Sequence, residues 1–296
     1  MNMQAAIQLT ISMAIFGSVG FFTIQTGIPA EELVFVRCIC ATLFLGGLWL
    51  ITKSYKTEQW SRKEVIQTVI CGVFLVFNWV FLFKAFNEME ISLAISIYNL
   101  APIFVLILGG IFLKERLTIP AILAIVVCFL GSILIVGVQQ VDSLHLLWNE
   151  GFIYAMLSAI CYAMTMFVGR GVKHLSTYAL TFVQTMVGIV ILFPMVQFDV
   201  FHGLTTSNWL YILGTGFIHT GFVYYLFFNS IRNLSTLLVS ALVFVDPLVA
   251  ILLDIWILDF RPTVAQILGM LFIFGGIIYT VIKPPKKENI TKEVAS

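Results

Sequence analysis

Charge is what this 296-residue chain has least of: 10 % of its residues are Asp, Glu, Lys or Arg, while 60 % are hydrophobic. A soluble domain carries about a quarter charged residues to keep its surface wetted, so an aqueous globular protein is excluded. Histidine is scarce as well, and His145, His174, His202 and His219 fall at scattered depths. A convergent catalytic centre gathers such groups with acids in one place, which makes a membrane-embedded lipid-modifying enzyme the weakest of the open functions. The five cysteines, Cys38, Cys40, Cys71, Cys128 and Cys161, all lie in apolar stretches. That placement argues against a disulfide framework and against a metal or redox pair. There is no GxxxxGK[ST] loop, no H-E-x-x-H helix and no G-x-S-x-G elbow, hence no nucleotide-hydrolysis engine, zincin or hydrolase signature. The basic residues are spread along connections, so nucleic acid has no footprint. No cofactor and no metal are expected. The first apolar stretch also lacks a basic leader, and a second comes at once, which argues against a cleavable signal.

What the chain has in abundance is apolar runs. Ten segments stand out, near 5–25, 31–52, 65–86, 90–113, 119–138, 148–170, 176–197, 209–229, 235–258 and 264–282. Their length suits a hydrocarbon core about 30 Å thick, which takes roughly 20 helical residues. Lipid forces every backbone polar group to bond within its own helix or within a closed barrel. Barrel strands alternate apolar and polar residues, and Ile103-Phe-Val-Leu-Ile-Leu108 does not. The fold class expected is all-α integral membrane, with ten transmembrane helices.

With the N-terminus in the cytoplasm, 13 of the 16 basic residues fall on the cytoplasmic side, from Lys53 and Lys56 through Arg170, Lys173 and Arg232 to Lys292. The outer connections hold two basic residues, Lys84 and Arg261, beside acids such as Glu31, Glu32, Asp199 and Asp259. Positive flanks stay inside, so both termini are expected in the cytoplasm of an inner or plasma membrane protein.

An offset of 145 residues superposes the second half on the first: Pro102 meets Pro247, Arg116 meets Arg261, Thr118 meets Thr263, Ala124 meets Gly269 and Gly131 meets Gly276. Each half then holds five helices, and an odd number inverts the second copy. The expected domains are residues 1–142, residues 143–283 and a basic cytoplasmic tail at 284–296. Inverted repeats place a site near the midplane between the halves and make inward-open and outward-open states equivalent. A passive channel built the same way stays open as an alternative.

Leu113-Lys-Glu-Arg-Leu-Thr118 with Ala124 and Gly131, and the degraded copy Leu258-Asp-Phe-Arg-Pro-Thr263 with Gly269 and Gly276, resemble the EamA family signature. Phe16-Gly17, Tyr162-Ala163 and Arg37 resemble further features of that family, part of the drug/metabolite transporter superfamily. The resemblance covers essentially the full chain. It implies a ten-helix secondary carrier that most often exports small metabolites or amino acids. The second copy departs from the pattern, with Phe260 at the position of the glutamate.

Polar residues inside spans are costly and mark candidate sites. Asp246 and His219 come out near mid-depth, where a carboxylate and an imidazole could exchange a proton and couple it to transport. The competing reading makes His219 a hydrogen-bonded core residue and gives Asp246 backbone amides near Pro247. Pro102 and Pro247 sit mid-span and are candidate hinges, or packing kinks without a moving role. Asn78, Trp79, Tyr98 and Asn99 share a depth and suit an apolar pocket with a few fixed polar groups. Interhelical hydrogen bonding is the rival there. Tyr162 and Tyr224 join the substrate-binding list. Arg37 is expected to snorkel outward, or to pair with Asp254 at an outer gate. The partners expected are a small-molecule substrate, the bilayer and, if coupling holds, protons; oligomeric state is open.

Overall fold

Long apolar runs leave their amides and carbonyls nowhere to bond but within helices, and helix is what forms. The computed structural model describes residues 2–89, 91–112, 118–136, 150–257 and 261–282. Among these, all regular structure is helical. Lys114, Glu115, Arg116, Asp259, Phe260 and the expected tail at 284–296 lie outside the described residues, as does the side chain of Asp254.

In chain order the helices are α1 (Met3–Phe16), α2 (Val19–Thr26), α3 (Ala30–Ile51), α4 (Arg62–Glu88), α5 (Ile91–Tyr98), α6 (Ala101–Phe112) and α7 (Ile119–Val136). After these come α8 (Glu150–Gly171), α9 (Thr177–Leu192), α10 (Thr206–Gly214), a π-helical stretch Thr215–Phe222, α11 (Val223–Ile231), α12 (Thr236–Leu242), α13 (Val245–Ile257) and α14 (Val264–Ile282). Hydroxyl and amide side chains start several of them. Asn2, Ser61, Ser176, Thr205 and Ser235 accept from the third backbone N–H beyond, satisfying a donor the helix cannot. Among the described residues, eight helical segments are long and apolar enough to cross a membrane, and α6 and most of α7 are shorter apolar helices. Their outward faces are apolar, with Leu43 at 65 %, Val190 at 69 % and Leu210 at 67 % exposure. A belt of that kind fits lipid rather than water.

The structure differs from ten smooth spans in where the helices break. Residues expected as one run at 5–25 form α1 and α2, parted at Gly17–Ser18. The run at 90–113 parts at Asn99–Leu100, and that at 235–258 at Val243–Phe244. Pro102 is the second residue of α6 and Pro247 the third of α13. Proline is tolerated in a first turn because the amide it lacks has no partner there. Each proline therefore opens a new helix instead of kinking a continuous one.

In packing, α4 lies along α8, α3 along α9 and the π stretch, α1 along α11, α6 against α8 and α12, and α7 along α14. One apolar core draws on α1, α3, α4, α6, α8, α9, α11 and α12, and a second joins α6, α7 and α12 to α14. The α7–α14 pair is antiparallel, since Gly131 sits opposite Gly269 while Ala124 sits opposite Gly276. A Cβ on Gly131 would lie 2.6 Å from the Gly269 carbonyl oxygen, and one on Gly269 equally close to that of Gly131. Backbone cannot yield as a side chain does. Gly131→Leu is therefore expected to destabilise by about 1–3 kcal/mol, the usual range for overpacking, read as lost thermal stability in detergent. Unchanged stability would mean that this crossing is slack.

At the end bearing Lys53, Arg62, Lys173 and Arg232, the connection between α8 and α9 is held on both sides. The Glu64 carboxylate accepts from the backbone N–H of Lys173, His174 and Leu175 at 3.1–3.2 Å and from His174 Nδ1 at 2.7 Å. Glu58 accepts from the Ser176 backbone N–H at 2.8 Å and from Trp49 Nε1 at 2.8 Å. Arg232 donates to the carbonyls of Val172 (3.1 Å) and Leu175 (2.8 Å) and to the Thr177 hydroxyl.

Candidate functional site

The helix breaks and the π stretch meet near the centre of the bundle. Gly17, at the α1–α2 break, packs so closely on α13 that an added Cβ would lie 2.7 Å from the Asp246 carbonyl oxygen. The next residue, Ser18, shares a 2.9 Å hydrogen bond with His219 Nε2 in the π stretch. Ser240 of α12 donates to the Pro102 carbonyl at 2.9 Å. A π stretch inserts an extra residue per turn and re-aims the side chains beyond it. Here Thr220 Oγ1 bonds the Thr215 carbonyl five residues back, at 3.0 Å, and faces Arg37.

Aromatic rings from five helices form one cluster. Tyr98 and Tyr162 stack with centroids 5.2 Å apart and planes 12° apart. Tyr162 continues onto Phe227 at 6.2 Å, Phe227 meets Tyr224 at 6.0 Å, and Tyr224 meets Trp79 edge-on at 5.4 Å. Phe16 closes on Tyr224 at 5.1 Å. Edge-on and offset pairs of this kind add to area burial because ring edges and faces carry opposite partial charge.

Two charged side chains flank the cluster. Arg37 is 3 % exposed, with its guanidinium carbon 5.1 Å from the Trp79 ring centre and its Nε donating to Thr220 Oγ1 at 2.8 Å. The expected snorkelling is overturned. The π stretch offers Arg37 an inward hydroxyl, and the Trp79 face supplies the rest of its shelter. Asp246 lies on the opening turn of α13, within electrostatic range of the Tyr98, Tyr162 and Tyr224 hydroxyls. Protein surrounds it, yet it keeps accessible surface of its own. Among the described residues its carboxylate makes no hydrogen bond or ion pair with Arg37 or His219.

Of the residues read from sequence, Trp79, Tyr98, Tyr162, Tyr224 and Asp246 come together in this centre. Asn78 ties α4 to α8: its Nδ2 donates to the Ser158 carbonyl and hydroxyl, both at 3.1 Å, and the Ser158 hydroxyl donates back to the Asn78 carbonyl at 2.8 Å. Its side chain also interacts with Tyr98. Asn99 lies at the α5–α6 break with its Nδ2 buried and, among the described residues, without a hydrogen-bond partner. His219 is set apart from Asp246, packed on Phe22 with ring centres 4.8 Å apart, and the α1–α2 break lies between the two. Sequence reading missed Ser18, Thr220, Ser158 and Phe227. Small hydroxyls and one more phenylalanine among 27 carry no signal of their own.

Fold and site together define a multi-pass α-helical membrane protein with a closed aromatic and polar centre. The model of the EamA-like transporter family matches residues 3–137 and, a second time, residues 149–282. The uncharacterized transporter YxxF of Bacillus subtilis is 50 % identical over 98 % of this chain and 93 % of its own length. The pseudopaline exporter CntI of Pseudomonas aeruginosa is 23 % identical over 64 % of this chain and 65 % of its own. A crystal structure 15 % identical in sequence aligns with a TM-score of 0.82 over 95 % of this chain and 98 % of that one, a likeness of fold. The chain belongs to the EamA-like transporter family and is a multi-pass membrane transporter.

Proposed function

We propose that this protein is a secondary carrier that exports small organic metabolites, such as amino acids, by alternating access. In this reading ten spans form two inverted five-helix repeats, both termini are cytoplasmic, and the centre around Trp79, Tyr98, Tyr162, Tyr224 and Asp246 is the substrate site. Asn78, Asn99 and His219 border it, and Asp246 with His219 couples the cycle to protons. The α5–α6 and α12–α13 breaks beside Pro102 and Pro247 are its hinges.

The observation that carries this reading is the antiparallel packing of α7 on α14, helices that the 145-residue offset makes equivalent. Antiparallel packing of an element on its own repeat is what an inverted repeat predicts, and it supports that reading. The other contacts support the same exchange of halves. The α1–α11 contact corresponds to α8–α4, and α3 on the π stretch corresponds to α9 on α4. Family membership, with one relative named as an exporter, supports the direction.

The test is counterflow in proteoliposomes. Unlabelled substrate on the far side is expected to accelerate entry of labelled substrate, and the flux to saturate, because a carrier returns faster loaded than empty. Flux without trans-stimulation or saturation would make the protein a channel. A reporter fused after Ser296 that reads out externally would overturn the orientation.

A further inference from the structure

We infer that Arg37 is the anchor for a carboxylate on the transported molecule, so that the substrate class is a small organic monoanion or zwitterion with an apolar body. This deepens the carrier reading and rests on it.

A guanidinium in the interior of a lipid-embedded bundle needs an anion, because desolvation is repaid only by a well-placed opposite charge. Arg37 lacks one among the described residues: its single hydrogen bond is Nε to Thr220, and its other contact is the Trp79 ring. That arrangement fixes the guanidinium plane on one edge and one face. The Nη edge is left over, the edge that receives a carboxylate through two parallel bonds. Tyr98 and Tyr224 lie within electrostatic range of both Arg37 and Asp246, so the unused edge belongs to the aromatic centre rather than to a separate site. A single cation balances a monoanion. A phosphate dianion would need further donors, and the surroundings are aromatic rings. The carboxylate is therefore the ligand chemistry that fits, with the flat or aliphatic remainder lying among Trp79, Tyr98 and Tyr224.

The experiment uses purified full-length protein and two matched probe sets at equal ionic strength: phenylacetate, phenylacetamide and phenethylamine, and propionate, propionamide and propylamine. At least one carboxylate is expected to raise the melting temperature, while its amide and amine do not. Arg37→Gln removes that shift, and Arg37→Lys weakens it. The ligand-free melting temperature of Arg37→Met is expected to equal or exceed that of the parent, since an unpaired buried charge goes. A structural arginine would give a large fall instead. No carboxylate-dependent shift, an equal shift from amide or amine, or a shift that survives Arg37→Gln would each overturn the anchor. Proteoliposome flux separates the two claims. Saturable flux of amides or amines, undiminished by Arg37→Gln, overturns the anchor and leaves a carrier standing. Carboxylate-specific binding without trans-stimulated flux supports the anchor and overturns the carrier reading.

Discussion

Replacing Asp246 by asparagine is expected to reduce pH-gradient-driven exchange to the level of protein-free vesicles, while expression and thermal stability stay at parental values. The two side chains have nearly the same shape, so packing at the first turn of α13 and against Gly17 is retained. Only the ability to take up and release a proton is lost. Asp246 suits that role because it keeps accessible surface while protein surrounds it, and because it lies within electrostatic range of three tyrosine hydroxyls. His219→Gln supplies the companion measurement. His219 does not touch Asp246, and its contact is with the Ser18 hydroxyl at 2.9 Å, one residue from the glycine packed on the Asp246 carbonyl. A relay through that break predicts that both variants lose coupling and that the double variant is no worse than either, the non-additivity of groups acting in series. Wild-type coupling in Asp246→Asn would remove the carboxylate from the mechanism. Coupling lost in Asp246→Asn but intact in His219→Gln would confine it to the carboxylate.

Much of the helical architecture was legible because lipid imposes a simple rule: long apolar runs form helices, and polar residues punctuate them. Trp79, Tyr98, Tyr162, Tyr224 and Asp246 stood out for the same reason, as groups that are costly or amphipathic in a run otherwise made of Leu, Ile, Val and Phe. What was not legible depends on contacts between distant segments. The break at Gly17–Ser18 has no proline, and its sequence reads as ordinary span. It forms where α1 must approach the α13 backbone closely, and only the folded chain holds that information. The π stretch is equally silent in Thr215-Gly-Phe-Ile-His-Thr-Gly-Phe222, although it is what turns Thr220 toward Arg37. Arg37 was accordingly misplaced. Depth along a helix can be counted, but which neighbour a side chain will face cannot. The helix starts at the prolines were not legible, because a proline in the interior of an apolar run and one in the first turn of a new helix look alike in sequence.

Glu64→Ala is expected to be clearly destabilising, lowering stability by about 1–3 kcal/mol through loss of an acceptor shared by three backbone amides and His174. Glu64 is 6 % exposed, and its carboxylate receives three consecutive backbone amides of the α8–α9 connection together with His174 Nδ1. Alanine removes the acceptor from those amides and leaves Arg232, which grips the carbonyls of the same connection, with Glu58 as its remaining nearby acid. Glu64→Gln keeps one oxygen as acceptor but loses the charge, and falls between alanine and the parent. Pairing Glu64→Ala with Arg232→Met tests whether the two act on one structure. Each holds Leu175, Glu64 through its amide and Arg232 through its carbonyl, so the second loss is expected to cost less once the first has freed the connection. Thermal unfolding in detergent measures the parent and all four variants. Additive losses would mean that the connection is fixed at two independent points. Coupled losses would make it a clasp joining the start of α4 to α8 and α9.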